Sequence, residues 1–105
     1  MEQPNFSYIN SLSGGDKAFE AKIMDIIKNE YPQERDIYLK NIAAKNFKEA
    51  AENVHKLKHK ISILGLENSY KVASQFENNL KDNNDSLKNA FDEILTAITF
   101  FLNER

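Results

Sequence analysis

Val54, Leu57, Ile61 and Leu64 recur at intervals of three and four. At about 100° per residue this puts them on one face of a helix, and Phe47 and Ala50 extend the stripe backwards by two turns. Asn46 followed by Glu49 has the form of a capping box opening that helix, and Gly65 stands where a left-handed residue would close it. Upstream, a short apolar segment of Phe6, Tyr8, Ile9 and Leu12 precedes Ser13-Gly14-Gly15-Asp16. The two glycines supply a turn, and Asp16 can cap a helix beginning after it. Phe19, Ile23, Ile26 and Ile27 then keep helical spacing, as do Tyr38, Leu39 and Ile42 beyond Pro32. Because proline lacks the amide proton a helix interior needs, Pro32 is expected to end one helix or begin the next. Tyr70, Ala73, Phe76 and Leu80 mark a further helix, fading in Lys81-Asp82-Asn83-Asn84-Asp85; Leu87, Phe91, Ile94, Leu95, Ile98 and Leu102 mark the last.

Nothing alternates with a period of two, and the links are short. The pattern predicts an all-α chain: an antiparallel, up-down four-helix bundle with a short additional N-terminal helix, forming a single domain over 1–105. A chain of 105 residues suits one core. The most apolar stretch, Ile94 to Leu102, is interrupted by Thr96 and Thr99 and falls well short of the roughly 20 residues that span a bilayer. With no basic, apolar leader in MEQPNF, the expectation is a cytoplasmic protein without a membrane partner. Absence of cysteine excludes disulfides, thiolate metal sites and cysteine nucleophiles. A net charge of -2 gives no reason to expect nucleic acid as a partner, and a monomer is expected.

Both histidines fall on the Val54 helix, among Lys56, Lys58 and Lys60. His55 lies about 100° round from Val54, at the edge of the apolar stripe and within reach of solvent. Ala51 precedes it by one turn, Lys58 and His59 come one turn after it, and Lys48 and Ser62 lie two turns away on either side. A positive local field at an exposed imidazole suits an anion, a phosphoryl group in particular. Taken singly, a solvent-facing histidine on a bundle helix is ordinary surface, and so is a lysine beside it. Glu52, His55 and His59 could offer zinc three ligands, although consecutive ligands on one helix converge poorly and no fourth is evident.

Together these residues resemble the histidine-containing phosphotransfer (HPt) domains of multistep two-component signalling. The likeness rests on His55 and Lys58, on Leu64-Gly65 at the end of the same helix, and on the apolar-acidic pair Phe76-Glu77 of the next. Leu12-Ser13-Gly14-Gly15-Asp16 looks like the turn entering the family's first long helix, so the likeness covers nearly the whole chain. One position departs: the family usually has glycine immediately after the lysine, where this chain has His59.

The resemblance implies that His55 is the phosphoacceptor and that Lys58 stabilises phosphoryl charge. It implies docking along Lys48, Ala51, Glu52, His59 and Ser62, with Ala51 and Ser62 small enough to admit a partner. The partners implied are response-regulator receiver domains and a hybrid histidine kinase. Magnesium would belong to the receiver alone, leaving this chain without a cofactor or metal of its own. No Gly-rich phosphate loop or kinase motif is present, so the chain is expected to carry phosphate without autonomous kinase activity. The competing readings are a helical interaction module of HPt shape that accepts no phosphate, and a metal-binding bundle.

Overall fold

The computed structural model describes residues 2–104, and every regular element among them is helical. They are α1 (Ser7–Ser13), α2 (Lys17–Ala43), α3 (Phe47–Ile63), α4 (Glu67–Lys81) and α5 (Lys88–Asn103). Asp16 caps α2 as its position predicts, its carboxylate accepting from the amides of Ala18 and Phe19 at 3.0 and 3.2 Å. At 1.5 Å per residue α2 runs about 40 Å, close to the 43 Å length of the whole molecule. Each long helix packs on its neighbour in sequence, α2 also touches α5, and α1 lies against α2.

One core joins the four long helices. Val54, Leu57 and Ile61 of α3, Ala73, Phe76 and Leu80 of α4, and Phe91, Ile94, Leu95 and Ile98 of α5 are all buried there, as the apolar spacing predicts. Tyr38 of α2 meets Phe76 and Phe91 edge-on, at 6.3 and 5.2 Å between ring centres, and its hydroxyl donates to Asp92 at 3.0 Å. No helix among the described residues is long and apolar enough to cross a membrane.

Three expectations need correction. Pro32 neither ends nor begins a helix; α2 runs through it. Tertiary anchors on both sides hold the helix across the missing amide. Tyr31 donates to the Leu95 carbonyl at 2.8 Å, Lys60 of α3 bonds Glu30 and lies against Glu34, and Tyr38 is fixed by Asp92. Asn46 does occupy the start of α3, but the capping box is not made. The Asn46 amide that Glu49 would have met is donated instead to the Asn41 carbonyl at 2.8 Å, closing the end of α2 with Lys45 in the left-handed region. Lastly, Tyr8, Leu12, Phe19, Ile26, Leu39 and Tyr70 share the helical spacing yet stay exposed. In α2 the buried stripe is narrow, made of Ile27, Tyr31, Tyr38 and Ile42, and Phe19, Ile26 and Leu39 stand outside it.

Candidate functional site

Val54 and Leu57 anchor α3 in the core, and that fixes where His55 points. Its side chain is 55% exposed, at the boundary between α3 and α4. Across that boundary stands Glu77, a carboxylate on the buried stripe of α4 next to Phe76 and one turn after Ala73. His55 Nδ1 lies 3.1 Å from Glu77 Oε2, and Lys58 Nζ lies 2.9 Å from Oε1. Lys81, one turn further along α4, approaches Oε2 at 3.6 Å. One buried carboxylate therefore gathers an imidazole and two ammonium groups.

Burial alone would push the Glu77 carboxyl up. The Lys58 ammonium and the adjacent imidazole outweigh it and hold the group below the usual carboxylate range. An ionised carboxylate can only accept, so the proton of the contact belongs to His55 Nδ1. In the neutral ring this arrangement places the lone pair on Nε2, which has no hydrogen-bond partner among the described residues. One nitrogen of a side chain that is more than half exposed is thus tethered to the carboxylate.

Lys58 is not the freely solvated cation its surface-edge position suggests. Its side chain is only 13% exposed, held between Glu77 and the face of Tyr70, whose ring centre is 5.4 Å from the ammonium. His59 is exposed and packs edge-to-face on His55, with ring centres 5.3 Å apart. Lys48, Glu52 and Ser62 are exposed as expected, whereas Ala51 is not. The neighbouring helix covers that face of α3, so Ala51 is buried at the bottom of a groove of about 650 Å³ running between α3 and α4 beside His55. Lys48, Glu52, Lys56 and Lys81 also line the groove; Ser62 does not.

Two members of this constellation escape a reading of α3 alone. Glu77 carries a recognisable signal, an acid interrupting the buried positions Ala73, Phe76 and Leu80. Lys81 comes four residues after it, the spacing that places two side chains together on a helix. The zinc alternative finds no geometry: no three His, Asp or Glu side chains form a group able to hold a metal among the described residues. Comparison with known proteins finds no matching family model, curated relative or solved structure.

Proposed function

We propose that this chain is a histidine phosphotransfer protein that relays a phosphoryl group between receiver-domain aspartates through His55. The tethered imidazole carries this reading: Nδ1 is held by Glu77, and Nε2, on a side chain 55% exposed, has no hydrogen-bond partner among the described residues. Phosphoryl transfer passes through a loose transition state in which positioning and charge neutralisation dominate, so a carrier needs little beyond an oriented nucleophile and cations around it. In the proposed step the Nε2 lone pair forms the new P–N bond as the P–O bond of an aspartyl phosphate breaks, its electron pair leaving with the receiver's carboxylate. The ring becomes a phosphoimidazolium that keeps its proton on Nδ1, facing the Glu77 carboxylate. That positive ring makes the phosphoryl group readily transferable to the next aspartate.

The helix adjacencies support the four long helices forming an up-down bundle, with α1 as the short N-terminal addition. In this reading the bundle is a rigid cytoplasmic mount rather than an enzyme. Exposed Lys48, Glu52, His59 and Ser62 form the docking strip, and Lys48, with Lys56 lining the same groove, complements the acidic pocket of a receiver. Magnesium, where the transfer uses it, sits on the receiver.

The packing of His59 on His55 favours one competing reading, a bundle that docks receivers without accepting phosphate because the second ring crowds the first. Incubation with receivers charged with labelled phosphate separates the two. The phosphocarrier reading expects label on this chain, lost in His55→Gln and kept in His59→Gly. Label absent from the wild type but gained in His59→Gly supports the docking module with a crowded ring, label on neither removes the carrier reading, and label retained by His55→Gln moves the acceptor to His59.

A further inference from the structure

Glu77 Oε2 is shared by two groups, His55 Nδ1 at 3.1 Å and Lys81 Nζ at 3.6 Å, whereas Lys58 is committed to the other oxygen at 2.9 Å. The two lysines differ sharply in freedom. Lys58 is 13% exposed and closed in by Glu77 and Tyr70; Lys81 is 61% exposed, on the last turn of α4, with only a long contact restraining it. A phosphoryl group on Nε2 would add up to two negative charges beside the groove that Lys81 lines. Of the two ammonium groups on Glu77, that of Lys81 can swing towards it while each carboxylate oxygen keeps a partner, Lys58 at Oε1 and His55 at Oε2, whereas departure of Lys58 would strip Oε1 of its ammonium. Lys48 and Lys56 line the same groove but take no part in the carboxylate cluster, and Glu52 adds an opposing charge.

We propose that Lys81, on the helix facing His55, is the cation that receives the phosphoryl group, with the α3–α4 groove as its seat. Lys58 then acts at one remove, by holding Glu77 so that Glu77 can hold the ring. This assignment rests on the phosphocarrier reading and divides the work of two lysines between charge neutralisation and positioning. It also accounts for the loose Lys81 contact: an ammonium fixed tightly to Glu77 could not track the phosphoryl group as it arrives and departs.

The test charges the protein with phosphoramidate, which needs no receiver, and monitors phospho-His55 by ³¹P NMR from pH 5 to 8. Wild type, Lys81→Ala, Lys81→Arg and Lys58→Ala are compared, with His55→Gln as the control for the site. Loss of a cation beside the phosphoryl group raises its second pKa; the expected rise in Lys81→Ala is about half a unit, with loss of phosphate about threefold faster, the size of a partly solvated ion pair. Lys81→Arg restores both. Lys58→Ala instead disturbs the ¹⁵N spectrum of the uncharged His55 ring and moves the phosphoryl pKa less than Lys81→Ala does. A phosphoryl group that titrates in Lys81→Ala as in wild type overturns the assignment, as does a larger pKa shift in Lys58→Ala. Failure of wild type to take phosphate at His55 overturns instead the carrier reading beneath it.

Discussion

Glu77 decides what His55 can do, because an imidazole has two nitrogens and only a partner on one of them selects the other for chemistry. Replacing Glu77 by alanine removes that selection. The ¹⁵N shifts of His55, expected to report a proton on Nδ1 facing the Glu77 carboxylate, should move towards a mixture of tautomers. The same change strands the largely buried Lys58 ammonium, at a cost of about 1–3 kcal/mol read from the urea midpoint. The pH dependence has a definite sign. The folded-state Glu77 carboxyl lies below its ordinary value of 4.5, so its stabilisation is complete above that value and is lost as pH falls through the lower folded-state pKa. Wild type should lose stability over that acid window and Glu77→Ala should show less of the loss; equal acid sensitivity in both would contradict the assignment. Much of this residue-scale picture is legible in the sequence. The offset of His55 from the Val54 stripe gives its exposure. The burial of Ala51 and the capture of Lys58 are not legible, since both depend on where α4 lies, and nothing within α3 records that.

At the scale of elements, periodicity locates every helix, because each buries an apolar stripe, and it fails where tertiary contacts overrule local preference. Pro32 is the clearest case. An interior proline costs a helix about 3 kcal/mol, yet Tyr31, Tyr38 and the Glu30 and Glu34 contacts to Lys60 keep α2 continuous. Since those anchors remain in Pro32→Ala, that variant should be more stable than wild type by about 1–3 kcal/mol. A lower urea midpoint would show that the proline itself shapes the helix. The junction of α2 and α3 makes the same point from the opposite side: Asn46 and Glu49 fit a capping box, but the chain uses that amide to finish the preceding helix.

Across the whole molecule, the N-terminal arm ties the end of the histidine helix to the start of the helix that carries Glu77. The Asn5 amide donates to the Leu64 carbonyl at 2.8 Å, and Glu2 accepts from the amides of Asn68 and Ser69 at 3.0 and 2.8 Å, covering open donors of α4. Gly65 sits at the centre of this tie. Its φ of 77° favours glycine, and a Cβ there would run into the Asn5 side-chain amide. Gly65→Ala should therefore cost about 1–2 kcal/mol and speed hydrogen exchange at Asn68 and Ser69; unchanged exchange would mean that the arm does not brace α4. A braced pair of helices matters because His55 and Glu77 reside on different ones, and a slip between them breaks the tether. The central claim, that one oriented imidazole nitrogen passes phosphate onward, is tested most directly by a chase. A receiver charged with labelled phosphate is mixed with this protein, and an uncharged second receiver is then added. Label is expected to appear on His55 and drain to the second receiver, with no passage through His55→Gln. Label that never leaves the first receiver, or that reaches the second equally well without His55, would contradict the claim.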